Sequence, residues 1–206
     1  MHVAPISFRP TLDPEDQARA DLYAVLARLF ADAPDAGFLK ALATAERMSG
    51  LDNPLAVAWN RLADASAAMD PDAAAQEYTD LFVGVGKCEV NLHASHWIAG
   101  FMAEKPLVEL RSDLVSLKIT RKEAATLMED HLSALCETMR ILVAGDGERP
   151  PATLAQQRNF FQNRLFSWAL ECCSAITKSS LANYYGRVAE LTEQFLVLER
   201  DSLAID

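Results

Sequence analysis

The chain has 206 residues, 50% of them hydrophobic and 23% charged, a composition that supports a buried core and argues against disorder. Its formal charge of −10, from 29 acidic and 19 basic side chains, disfavours long-range attraction to nucleic acid phosphates. Met1-His2-Val3-Ala4-Pro5 lacks a basic segment followed by an apolar core, and the longest apolar runs stop short of the roughly 20 residues a membrane span needs, so neither secretion nor insertion is expected.

Helix signals recur from end to end. Asp13-Pro14-Glu15 opens a first helix with a capping carboxylate and Pro at its first position, and Leu22, Val25, Leu26, Leu29 and Phe30 form its apolar stripe as far as Asp32–Pro34. A second helix is predicted over Ala36–Met48, and Asn53-Pro54 starts a third carrying Leu55, Trp59 and Leu62. Asp70-Pro71 repeats the start signal, and the helix it opens should fail at Gly84-Val85-Gly86. On that helix Tyr78, Leu81 and Phe82 share a face with Glu77 and Asp80 at its border. The same spacing suits internal packing or an apolar surface edged with negative charge.

Residues 87–92 read as a loop, Ala94–Phe101 as a helix with Gly100 as a close-packing point, and Pro106 as the start of another helix to about Leu117. Thr120-Arg121-Lys122-Glu123 fits a capping box leading into a long helix striped by Leu127, Met128, His131, Leu132, Leu135, Met139 and Leu142. Residues 145–152 form a Gly- and Pro-rich candidate hinge. Thr153-Leu154-Ala155-Gln156 is a second capping box, opening a helix through Phe161, Leu165, Trp168 and Cys172 that breaks at Thr177–Ser180 before a last helix over Leu181–Glu199. The prediction is an all-α protein, an irregular bundle of eight to ten helices in one domain over residues 1–206 with a hinge at 145–152.

Cys88, Cys136, Cys172 and Cys173 form neither a Cys-x-x-Cys pair nor a disulfide scaffold, which fits a reducing cytoplasm. Ser95 and His96 are neighbours whose side chains diverge on a helix, and no nucleophile elbow surrounds them. Cys88, His93 and His96 match no strong zinc spacing, and Gly84-x-Gly86 lacks the Gly-Lys-Ser/Thr ending of a phosphate loop. Arg111, Arg121, Lys122 and Arg140 are scattered rather than striped, so neither an enzyme nor a nucleic-acid binder is expected and no cofactor is implied. Between Arg61 and Lys87 the chain carries Asp64, Asp70, Asp72, Glu77 and Asp80 with no basic residue, a solvated face or a face for a basic ligand.

Four blocks, in order, resemble the TorD/DmsD/NarJ family of molybdoenzyme chaperones. They are Glu77-Tyr78-x-x-Leu81-Phe82-x-Gly84, Ser95 at the end of a polar loop, Glu129-Asp130-His131-Leu132, and Gln157-x-x-Phe160-Phe161-x-x-Arg164-Leu165-x-x-Trp168, followed by Tyr184-Tyr185 and Phe195-Leu196. Leu127-Met128 stands where the family has Glu-Pro, Arg164 where it often has histidine, and Asn91-Leu92-His93-Ala94 where its loop is richer in proline. Ser95-His96-Trp97 and Cys172-Cys173 look most similar to members associated with formate dehydrogenases.

The resemblance implies a cytoplasmic, non-enzymatic chaperone. Its partner would be the catalytic subunit of a molybdopterin-dependent oxidoreductase, formate dehydrogenase or a relative, held by its twin-arginine signal peptide or N-terminal region until the cofactor is inserted. The implied peptide-binding residues are Glu77, Tyr78, Asp80, Leu81, Phe82, Ser95, Trp97, Glu129, Asp130 and His131. Carboxylates would take the guanidinium groups and an apolar groove the rest. His131 equally fits a partly buried histidine fixed by a hydrogen bond, and Trp97 a core anchor whose indole nitrogen could meet a peptide carbonyl. The alternative is a structural assembly adaptor that binds the mature client and ignores the signal peptide. The family contains monomers and helix-exchanged dimers, with 145–152 as the place for exchange to begin.

Overall fold

The computed structural model describes residues 12–50, 52–84, 87–100, 104–121 and 126–205. The helix starts are decided locally, as the sequence predicts. Helix α1 (Pro14–Ala31) begins behind Asp13, whose carboxylate accepts the Glu15 N–H at 2.9 Å. Helix α2 (Ala36–Ala43) is capped by Asp35, α3 (Pro54–Ala68) by Asn53 and α4 (Pro71–Tyr78) by Asp70. Helix α4 runs on as a π-turn over Thr79–Val83 and stops at Gly84, whose φ of +64° suits glycine. A Cβ there would lie 2.3 Å from the Lys87 carbonyl oxygen, because the chain doubles back at once.

Helices α5 (Ala94–Ala99) and α6 (Glu104–Ser116) follow, then α7 (Leu132–Ala144) and α8 (Leu154–Phe160). Helix α8 continues through a π-turn at Phe161–Phe166 into α9 (Ser167–Lys178), making one rod, and α10 (Tyr184–Ala204) closes the described chain. The capping box at Thr153 and Gln156 is present. The fold is all-α: the described residues form nine separate helical rods and no strand, only an isolated antiparallel bridge between His93 and His131.

Several boundaries differ from the expectation. Helix α2 ends at Ala43 rather than Met48, where the Thr44 hydroxyl folds back to the Lys40 carbonyl at 2.9 Å. Gly100 is not a packing point: it is a left-handed C-cap, φ +73°, and a Cβ there would meet nothing within 4 Å. The long helix expected after Thr120 starts only at Leu132, with His131 as its cap, so Leu127 and Met128 lie outside it. Lys122 and Glu123 of the expected capping box lie outside the described residues. The last helix begins at Tyr184 rather than Leu181. In the 145–152 segment the Asp146 carboxylate accepts from the Glu148 and Arg149 N–H groups, and the Ala152 N–H reaches the Leu142 carbonyl at 2.8 Å.

Two packings organise the bundle. Helix α1 lies along α7, burying Leu26, Leu29 and Phe30 on one side and Leu132, Leu135 and Met139 on the other. Each such side chain contributes about 1.5–3 kcal/mol on burial. Helix α10 lies against α3 and α9 and also touches α1, where the Tyr23 and Phe195 rings meet edge to face at 4.8 Å. No helix among the described residues is long and apolar enough to cross a membrane.

Candidate functional site

The residues singled out in the sequence separate into two places. In the first, Tyr78 and Phe82 do share a face, with rings 5.2 Å apart, but that face turns inward: Phe82 packs on Tyr185 at 5.0 Å and the Tyr78 hydroxyl donates to the Phe30 carbonyl at 3.1 Å. Burial, with Asp32 nearby, pushes the Tyr78 hydroxyl up to about 12, so it serves as a neutral donor. Leu81 is fully buried. The Glu77 carboxylate accepts the N–H groups of Asn183, Tyr184 and Tyr185 at 2.7–3.0 Å. Asn183, at the cap position of α10, makes no side-chain cap, and Glu77 supplies one from another helix. Asp80 is exposed and accepts from the Gln76 amide.

The second place is where residues 91–95 cross the start of α7. The Leu132 N–H donates to the Leu92 carbonyl at 2.8 Å and the Ala94 N–H to the Asp130 carbonyl at 3.0 Å, bridging two segments far apart in the chain. His131 is buried, caps α7 by accepting the Ser133 N–H on Nδ1 at 3.2 Å, and meets the His93 ring edge to face at 4.9 Å. Asp130 is 2% exposed: Oδ2 accepts the Ser95 N–H at 3.2 Å, while Oδ1 is buried with no hydrogen-bond partner among the described residues. Glu129 pairs with Arg111 of α6. Burial opposes the Glu129 charge, but the guanidinium hydrogen bonds hold its carboxyl below the ordinary value.

Beside this crossing a groove of about 850 Å³ opens between α5, α6 and the α8–α9 rod. Trp97, Ile98 and Ala99 line it from α5, Lys105, Pro106 and Glu109 from α6, and Asn163, Arg164, Ser167, Trp168 and Glu171 from the rod. The Trp97 indole N–H is held by the Asn91 carbonyl at 2.8 Å and that of Trp168 by the Arg164 carbonyl at 2.8 Å. The Trp97 nitrogen is therefore engaged internally rather than open to a peptide. The Arg164 guanidinium reaches α6, with Asp113 at 2.6 Å and Glu109 at 3.2 Å. The π-turn at Phe161–Phe166 carries Arg164 and Asn163 at the groove wall, a kind of irregularity frequent at functional sites.

Residues 49–174, more than half of the chain, match the nitrate reductase delta subunit family. The chain belongs to that family. No curated protein matches it. The delta subunit family is one of chaperones that mature molybdoenzymes, working with their catalytic subunits. The matched region contains the crossing of residues 91–95 with the start of α7 and the whole groove wall as far as Glu171, and of the first place it contains Glu77 to Phe82 but not the α10 residues they meet.

Within this member of the delta subunit family, Ile98, Lys105, Glu109, Asn163 and Glu171 were not singled out by the sequence, since three separate elements bring them together. No three His, Cys, Asp or Glu side chains among the described residues are placed to hold a metal ion. Cys136, Cys172 and Cys173 are buried, and burial pushes the Cys172 thiol up to about 12, so it packs as a thiol.

His131 makes the crossing sensitive to acid. Burial, and then the neighbouring His93, lower it to about 4 against a partial opposing pull from Asp130. The folded protein thus keeps His131 neutral while the unfolded chain protonates near the ordinary value of about 6.5. Its contribution to stability is complete above that value, declines as pH falls from about 6.5 to about 4, and amounts to about 3 kcal/mol over the window. Urea unfolding at pH 7 and pH 4.5 should show this loss, and His131→Asn, which keeps a capping side chain, should flatten that share of it. An unchanged pH slope in the variant would show that other groups carry the effect.

Proposed function

We propose that the protein is a cytoplasmic, non-enzymatic chaperone that binds the twin-arginine signal peptide or N-terminal region of a molybdopterin oxidoreductase's catalytic subunit and delays export or assembly until the cofactor is inserted. Family membership supports the chaperone role toward a molybdoenzyme. The observation that carries the peptide reading is the Asp130 carboxylate, buried with Oδ1 unpartnered among the described residues. A buried acceptor without a donor costs about 1–3 kcal/mol, and more when charged. A client guanidinium supplies the missing donors. Because Asp130 is covered, the guanidinium reaches it as the 91–95 crossing shifts, with Ser95 and His131 as its nearest neighbours. Glu129, paired with Arg111, stands next to Asp130 in the chain, and Tyr78 and Phe82 hold the π-turned end of the helix over Pro71–Val83 against Tyr185.

The test is isothermal titration with paired-arginine peptides from molybdoenzymes of the source organism, formate dehydrogenases first, each beside an Arg-to-Ala control. Micromolar or tighter binding lost in the control, and weakened at least about tenfold by Asp130→Asn with an unchanged melting temperature, is the expected result. If no peptide binds but the mature client lacking its N-terminal region does, the protein is a structural adaptor instead.

A further inference from the structure

We infer that Arg111 of α6 is a built-in competitor at the client site: its guanidinium holds the Glu129 carboxylate at rest and is displaced by the second arginine of a paired-arginine segment; the inference rests on the peptide-binding reading above. Glu129 directly precedes Asp130, so two carboxylates follow one another where the segment is read. Among the described residues, Glu129 has an ion pair and the Asp130 Oδ1 atom has no donor. Arg111 meets Glu129 as a fork, Nε on Oε1 and Nη2 on Oε2, the arrangement a client guanidinium would take. Arg121 acts on Glu129 through its charge, whereas Arg111 holds both oxygens.

The fork is loose and the carboxylate under it is covered. Both of its bonds are 3.2 Å long, whereas the equivalent fork of Arg140 on Glu137 measures 2.7 Å in both bonds. Charged pairs of this kind usually sit at about 2.7–2.9 Å. The Arg111 side chain is 50% exposed and that of Glu129 15% exposed. An exposed guanidinium returns to water readily, but a covered carboxylate left alone loses the donors that stabilise its charge. Exchange of one guanidinium for another is therefore the change this geometry favours. Hydrogen bonding and charge from Glu129, and then the charge of Asp130, hold the Arg111 guanidinium above its ordinary pKa, so the resident cation feels both carboxylates. Helix α6 has other anchors: Leu110 and Leu114 are buried, and Arg164 of the α8–α9 rod pairs with Glu109 and Asp113. Arg111 can thus let go while its helix stays docked.

The experiment titrates the protein and its variants with a synthetic paired-arginine peptide and with both single Arg-to-Ala forms of it. Arg111→Ala, at an unchanged melting temperature, should tighten binding of the paired peptide about three- to tenfold, because the resident guanidinium no longer reduces the fraction of open sites. Arg111→Lys, which keeps the charge but not the fork, should give part of that gain. Lys105→Ala takes one positive charge from an exposed position on the same helix and should change affinity by less than about twofold. The gain from Arg111→Ala should vanish in a Glu129→Gln background and with the single-arginine peptide that lacks the displacing residue. A gain that persists in Glu129→Gln, or that Lys105→Ala reproduces, is a general effect of charge and overturns the inference. Unchanged or weaker binding in Arg111→Ala, while Asp130→Asn still weakens binding, also overturns it and leaves the peptide reading standing. If neither the unaltered protein nor Arg111→Ala binds any of the peptides, both fall.

Discussion

Replacing Glu199 with Ala is expected to lower the unfolding free energy by about 3–5 kcal/mol, the cost of breaking a buried ion pair from one side. The Glu199 carboxylate is 2% exposed and accepts from Arg19 Nε at 3.0 Å, from Arg19 Nη2 at 2.6 Å and from the Tyr23 hydroxyl at 3.1 Å. Arg19 also holds Asp16 at 2.6 Å and the Gln157 side-chain oxygen at 2.9 Å, so one guanidinium ties α1, α8 and α10 together. Without Glu199 the guanidinium keeps only Asp16 and Gln157, and the fully buried Tyr23 hydroxyl, pushed well above its ordinary pKa by burial and by Glu199, has no acceptor here. Equilibrium urea unfolding measures the loss. The double change Arg19→Met with Glu199→Leu should recover much of it, since both charges then leave the interior together. A loss below about 1 kcal/mol in the single variant would mean that water or rearrangement satisfies Arg19, and the cluster is not a clamp.

Glu77→Ala should cost about 3 kcal/mol, because hydrogen bonds to a charged acceptor are each worth about 1.5–3 kcal/mol and the N-terminus of α10 loses its carboxylate. The N–H groups of Asn183, Tyr184 and Tyr185 would all need new partners. Glu77→Gln keeps one acceptor oxygen and should cost less. The decisive comparison sets stability beside peptide affinity, measured at a temperature where both variants remain folded. Lower stability with unaltered affinity makes Glu77 a helix cap, whereas lower affinity at full stability returns it to the client surface.

What was legible in the sequence was whatever a few consecutive residues decide. Asp13, Asn53 and Asp70 each precede a Pro and cap the helix that follows, and Thr153 with Gln156 closes a reciprocal box. Cap and partner are both local there, so pattern and structure agree. The start of α7 failed for the opposite reason. Leu127, Met128 and His131 continue the three- and four-residue spacing of the helix by composition alone, but the chain turns at residues 129–130, where the His131 N–H meets the Met128 carbonyl at 3.1 Å, and the bridge to His93 holds His131 itself extended. Glu77 reads as a border acid on its own helix, and only the position of α10 makes it a cap. The groove was invisible because its walls come from three elements and one wall carries a π-turn, which shifts side-chain register without any mark in the spacing.

The pairing of α1 with α7, and of Arg19 with Glu199, sets an order on the protein's own birth. A ribosome releases α1 before α7 and α10, so its apolar side waits for residues from 132 onward and its guanidinium for the Glu199 carboxylate of α10. Such long separations delay docking, and an apolar face without its partner invites association with other chains. A protein of this topology therefore becomes competent only after α10 has been made, and a stop codon ahead of α10 should yield an aggregating product rather than a smaller working one.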